Sequence, residues 1–284
     1  MARILKGAPV AAALTERMAA RAAALSERGV TPCLAIVRVG ERPDDLSYER
    51  GACNRAQKVG LAVRKFELPA DCTQVQLEDA IRQVNADDTI NGCLMFRPLP
   101  RTLDERAACE LLDPAKDVDG ICRASLAGVF AGDGTGFSPC TAAAVVELLD
   151  HYGVELEGAR VAVVGRSLVI GRPVAQLLMA RNATVTTCHT RTRDLAAELS
   201  RADIVVAAAG HAGTVTAECV RAGQVVVDVG INWDETSQRL VGDVAFDEVE
   251  PIVDAITPVP AGVGSVTTAV LAKHVVEACE RMSE

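Results

Sequence analysis

Residues 161–178, VAVVGRSLVIGRPVAQLL, constrain the fold more than any other stretch, because they read as a buried strand, a glycine turn and a helix in immediate succession. Residues 161–164 form a short continuous apolar run, as a parallel strand buried on both faces requires. Gly165 permits a tight turn, and Gly171 opens a helix carried by Val174, Leu177 and Leu178. Backbone N–H groups at such a helix start, with Arg166 and Ser167 beside them, suit a pyrophosphate. The spacing is G-x5-G rather than the G-x-G-x-x-G fingerprint, so a plain structural turn is the competing reading.

The segments downstream favour a nucleotide fold. Residues 183–189 (ATVTTCH), 203–210 (DIVVAAAG) and 224–230 (QVVVDVG) read as further strands, and 194–200 as a helix. Strands alternating with short helices indicate βαβ units and a Rossmann-type, doubly wound parallel sheet. In such folds an acid at the end of the second strand bonds the ribose 2′-hydroxyl of NAD. Here that position offers His189, Thr190, Arg191 and Arg193, with no acid before Asp194. A hydroxyl and several cations suit a 2′-phosphate, so NADP is expected over NAD; a solvated basic turn is the alternative.

A chain of 284 residues exceeds a typical domain, so two domains are expected. No apolar run reaches the ~18 residues of a membrane span. The N-terminal MARILKGAPVAAALTERM, interrupted by Glu16 and Arg17, reads as an amphipathic helix rather than a signal peptide. A net charge of −9 argues against general nucleic-acid binding. The ten cysteines are scattered without CxxC pairs, and Cys93 and Cys109 sit among apolar neighbours. Reduced thiols in a cytoplasmic protein are the simplest account. The four histidines are dispersed, with no metal-ligand spacing.

The first half reads as a separate α/β unit, with strands at 32–39, 63–68 and 92–96 and helices at 47–59 and 77–85. The third strand runs into Arg97-Pro98-Leu99-Pro100, which must leave the sheet because proline donates no ladder hydrogen bond. Tyr48, that turn and the KDVDG loop at 116–120 all follow strand ends, where ligands of open α/β sheets bind. A second loop, TPVPAGVGSVT at 257–267, is dense in proline and glycine and precedes a final helix at 268–282 that could pack back on the first domain.

The segments VGERPDDLSY, RPLP, KDVDG, SPCT, VVGRSLVIGRP, VVDVGIN, VGDV and TPVPAGVG, in this order, resemble the methylenetetrahydrofolate dehydrogenase/cyclohydrolase family over essentially the whole chain. The resemblance implies two lobes with a cleft between them, an N-terminal catalytic lobe (1–140 with 269–284), a dinucleotide-binding lobe (141–268) and a homodimer. It implies oxidation of 5,10-methylenetetrahydrofolate to 5,10-methenyltetrahydrofolate, which most members then hydrolyse to 10-formyltetrahydrofolate. It places Tyr48 against the folate rings and Asp119 on the pterin's amino-pyrimidine edge. Phe96, Pro260, Gly262, Val263 and Gly264 join them as substrate-binding positions; Arg97, next to the cleft, is a further candidate to contact the folate, with a solvated turn residue as the favoured competing reading. Gly165, Arg166, Ser167, Gly171, Thr190, Arg191 and Ile231 become cofactor-binding positions.

The departures from the family pattern fall on the hydrolytic machinery. Members usually carry a lysine four residues after the tyrosine, where this chain has Ala52, and a glutamine where it has Phe96. Asp45 replaces a serine, Ala261 a glycine, and Ser265 a proline. Hydride transfer is largely a matter of positioning, with the cofactor supplying the difficult step. Hydrolysis needs a group that moves protons, and losing one commonly costs ~10²–10⁴-fold in rate. An NADP-dependent dehydrogenase with weak or absent cyclohydrolase is therefore expected. The alternatives are a bifunctional enzyme with a substitute base such as Arg97 or Asp45, and a non-catalytic dinucleotide-binding paralogue.

Overall fold

The computed structural model describes residues 1–235 and 238–283. In chain order the elements begin with β1 (Arg3–Ile4), α1 (Gly7–Glu27), β2 (Cys33–Val39), α2 (Pro43–Val59), β3 (Ala62–Leu68), α3 (Gln74–Ala86) and β4 (Gly92–Met95). Helices α4 (Glu105–Leu111), α5 (Arg123–Ala131) and α6 (Cys140–His151) follow. Then come β5 (Arg160–Val164), α7 (Gly171–Met179), β6 (Thr184–Cys188), α8 (Leu195–Ser200), β7 (Ile204–Ala207) and β8 (Val225–Asp228). The chain ends with β9 (Asn232–Asp234), β10 (Arg239–Val241), α9 (Phe246–Val249), β11 (Ala255–Ile256) and α10 (Thr267–Met282).

Two compact units result: residues 12–140 with 268–284, and residues 1–11 with 141–267. In the first, three parallel strands run in the order β3-β2-β4. Every residue of the central β2 is buried, as an apolar run flanked by strands on both sides requires. Pro43 in the first turn, Asp44 and Asp45 beside it, and Gly60 at φ 87° bound α2, so the helix starts four residues before the expected 47. A capping box between Thr73 and Gln76 opens α3. The core gathers Ala35, Val37, Leu77, Ile81, Val84 and Met95.

The second unit is a six-stranded, all-parallel sheet among the described residues, ordered β1-β11-β8-β7-β5-β6. The order reverses at β5, with β6 on one side and β7 on the other, which is the topological switch point of a doubly wound sheet. The expected strands and helices of this half are all present.

The N-terminus departs from expectation. Arg3 and Ile4 form a strand paired with β11 rather than the start of a helix, and residues 1–11 fall in the dinucleotide-type unit instead of the first. The cause is backbone pairing: Arg3 N–H donates to Asp254 O (2.7 Å), Leu5 N–H to Ile256 O (2.8 Å) and Gly7 N–H to Ala261 O (2.8 Å). All ten cysteines are free thiols, and all but Cys53 are buried. Among the described residues no helix is long and apolar enough to cross a membrane, and no His/Cys/Asp/Glu group could hold a metal ion.

Candidate functional site

In the first unit, α2, the end of β4 and the loop at 116–120 surround a hollow of about 280 Å³. Its walls are Asp44, Asp45, Tyr48, Leu94, Met95, Phe96, Arg97 and Asp119. Tyr48 sits one turn into α2 and remains 37% exposed, while Phe96 is buried at 7%. Their rings meet edge to face, 5.9 Å between centroids at 84°. Ala52, one turn beyond Tyr48, is 2% exposed and is not part of the wall.

A buried charge cluster fixes the helix that carries Tyr48. Arg38 of β2 donates to Glu49 at 2.8 Å, and Lys65 Nζ reaches the other Glu49 oxygen at 2.5 Å. Burial pushes the Glu49 carboxyl up, but the Lys65 and Arg38 hydrogen bonds outweigh it and hold it below the usual range. Arg38 also donates to Glu67 and to the Gly40 carbonyl. Asp45 is gripped by Arg42 through two hydrogen bonds, 2.7 and 2.8 Å. Burial pushes Asp119 up to about 6, against the lowering influence of Arg97.

In the second unit, the switch point carries the glycine turn. A Cβ on Gly165 would lie 2.0 Å from Ala208 O, and one on Gly171 would lie 2.2 Å from Gly165 O. Both positions therefore demand glycine for strand and helix to approach. Ser167 Oγ accepts from the N–H of Ile170 (3.1 Å) and Gly171 (3.4 Å), tying the turn to the start of α7. Residues 166–169 are exposed ahead of that helix. Past β6, Thr190 and Arg191 are also exposed, and His189 Nδ1 accepts from Arg191 N–H at 3.1 Å. These features fit a dinucleotide: an accessible helix start, close glycine packing, and a cationic turn without an acid.

A second hollow in this unit, about 200 Å³, is lined by Gly230, Ile231, Pro258, Pro260, Ala261, Gly262, Val263 and Gly264 among others. The substrate-binding positions expected from sequence thus divide. Tyr48, Phe96, Arg97 and Asp119 share one hollow, while Pro260, Gly262, Val263 and Gly264 line another together with Ile231.

The VVDVGIN and VGDV segments turn out to be one device. Asp228 accepts from the N–H groups of Gly230 (2.9 Å), Asp243 (3.0 Å) and Val244 (3.0 Å). Asp243 accepts from Gly210 N–H (2.8 Å) and Asn232 Nδ2 (2.9 Å). The two acids clip together the strand ends that present Ile231, a role invisible in the sequence because most of the partners are backbone N–H groups, several of them 15 to 33 residues away.

Residues 5–119 match the model of the tetrahydrofolate dehydrogenase/cyclohydrolase catalytic domain, and residues 139–283 that of the same family's NAD(P)-binding domain. The chain is 52% identical over 281 residues to the bifunctional protein FolD of Carboxydothermus hydrogenoformans, covering 99% of this chain and 98% of that protein. It is 49% identical over 278 residues to the bifunctional protein FolD of Clostridioides difficile, covering 98% and 96%. The crystal structure of the bifunctional FolD methylenetetrahydrofolate dehydrogenase/cyclohydrolase from Campylobacter jejuni matches with a TM-score of 0.94 at 34% identity over 99% of each chain. The Trypanosoma brucei methylenetetrahydrofolate dehydrogenase-cyclohydrolase, complexed with NADP and an inhibitor, matches at 0.91 and 36% identity over 100% of this chain and 99% of that one.

Proposed function

Starting from the fact that this chain belongs to the tetrahydrofolate dehydrogenase/cyclohydrolase family, we propose that it oxidises 5,10-methylenetetrahydrofolate to the 5,10-methenyl form and hydrolyses that product weakly or not at all. Methylenetetrahydrofolate dehydrogenase is the activity that comes with the family, and NADP is the cofactor. When bound, NADP supplies the hydride acceptor. Gly165, Arg166, Ser167 and Gly171 would hold its pyrophosphate, Thr190 and Arg191 its 2′-phosphate, and Ile231 the nicotinamide end. Asp119 accepts the hydrogen bonds of the pterin's amino-pyrimidine edge, Tyr48 packs on the folate rings, and Arg97 contacts the folate. Pro260, Gly262, Val263 and Gly264 line the substrate's path, and a homodimer belongs to the same reading.

One observation carries the reading on hydrolysis: the Tyr48–Phe96 ring pair occupies the hollow's wall, with no lysine or glutamine beside it. Collapse of the tetrahedral adduct requires a group that gives and takes protons. Alanine at 52 has none, and phenylalanine at 96 cannot orient one. The candidate substitutes are poorly suited: Asp45 is committed to Arg42, and a guanidinium such as Arg97 does not release its proton. Arg55, on the next turn of α2, donates to Thr15 Oγ1 at 2.5 Å.

The relatives named bifunctional, at 49–52% identity, favour a second reading in which Asp45 or Arg97 takes the missing lysine's place. The double variant A52K/F96Q distinguishes them. Under the first reading it gains methenyltetrahydrofolate hydrolysis by about 10²-fold or more over the unmodified chain. An unmodified chain already hydrolysing at a rate the variant does not exceed supports the second.

A further inference from the structure

The loop at 116–120 holds three consecutive residues that make no wall of the hollow, yet each is tied down in a different direction. Lys116 is 3% exposed, and its ammonium donates to the carbonyls of Val84 (2.9 Å), Asn85 (2.9 Å) and Asp87 (2.8 Å) at the end of α3. Asp117, fully buried, accepts from Ile121 N–H (3.0 Å), Cys122 N–H (2.9 Å) and Ser125 Oγ (2.6 Å) at the start of α5. Val118 O lies 2.8 Å from His274 Nδ1 on α10, and because a carbonyl only accepts, Nδ1 carries the proton. The Cys140 thiol donates to the same carbonyl at 3.3 Å. The fourth residue, Asp119, lines the hollow.

We propose that Lys116, Asp117 and His274 are positioning residues: they fix the backbone of this loop so that the Asp119 carboxylate meets the amino-pyrimidine edge of folate without further ordering. The proposal rests on the reading of Asp119 as the folate's partner. Two buried charges satisfied wholly within the protein are expensive to maintain if all they do is close a loop. They are well matched to holding one carboxylate within a fraction of an ångström, where a displacement of about 1 Å can cost 10²-fold in rate.

The test is calorimetric titration of the full chain with tetrahydrofolate, alongside KM and kcat for methylenetetrahydrofolate and KM for NADP. The variants are K116Q, S125A, D119N and the double variant K116Q/D119N. K116Q is expected to weaken tetrahydrofolate binding at least tenfold and to raise the folate KM with little change in the NADP KM. S125A, which removes one of three donors to Asp117, moves the same way by less. K116Q/D119N binds no more weakly than D119N, because Lys116 acts through Asp119. If K116Q does not fold, S125A and S125A/D119N run the same cycle. Folded K116Q or S125A with unaltered tetrahydrofolate affinity, or losses that add to that of D119N, overturn the proposal. Unaltered affinity in D119N is a separate result: it removes the folate reading of Asp119 and the proposal with it.

Discussion

In the proposed function, Asp119 is the residue whose ionisation binding and folding treat in opposite ways. Burial raises it to about 6, and Asp228 likewise to about 6. In its proposed role as a bidentate acceptor, Asp119 must be ionised. On its account kcat/KM for methylenetetrahydrofolate should therefore be level above about pH 6 and fall about tenfold per unit below it, a dependence read from a pH–rate profile. Folding responds with the other sign. A carboxyl whose folded value exceeds its unfolded one contributes stability that is complete below the unfolded value of 3.8 and is lost as pH rises through about 6. Urea unfolding at pH 5 and pH 7 should show D119N losing part of that dependence. Ala261 gives a second prediction at this scale. It holds φ at 78°, a left-handed conformation that glycine adopts freely and that costs an L-residue about 1 kcal/mol or more. A261G should stabilise the protein by up to about 1 kcal/mol in chemical denaturation, the gain being reduced by the freer unfolded chain. The sequence shows the alanine, but the strain is legible only in the backbone.

At the scale of elements, the glycine turn and the basic turn carry separable predictions. A Cβ at 171 would lie 2.2 Å from a carbonyl oxygen, so G171A should cost about 1–3 kcal/mol and weaken NADP binding, as thermal shift with and without NADP would show. R191A should narrow the preference for NADP over NAD, seen as a rise in the NADP KM alone, if that side chain meets the 2′-phosphate. Continuous apolar runs make β2, β4, β5, β7 and β8 readable in the amino-acid sequence, since strands buried on both faces leave few polar positions. Helices α4, α5 and α9 have no such signal, being at most nine residues long; Asp104 and Cys122 cap the starts of α4 and α5, while α9 has no side-chain cap. The hairpin of β9 and β10, three residues a strand, is equally short.

Across the whole molecule, the first residues of the chain are the least legible part of the domain plan. A two-residue strand has no periodicity, so residues 1–11 cannot be assigned from sequence to the sheet they extend. The site divides along the same line. Tyr48, Phe96 and Asp119 are proposed from the resemblance and share one hollow, whereas the hydrogen bonds of Lys116, Asp117 and the Asp228–Asp243 clip run largely to backbone groups that no motif specifies. In the function proposed for this chain, Ala52 and Phe96 leave the hollow without a proton-handling pair. The most direct test is a reaction of the unmodified protein with 5,10-methylenetetrahydrofolate and NADP+, following NADPH and methenyltetrahydrofolate separately. The account predicts that the two rise together and that methenyltetrahydrofolate then decays no faster than in buffer. NADPH formation with enzyme-dependent consumption of the methenyl product would contradict it.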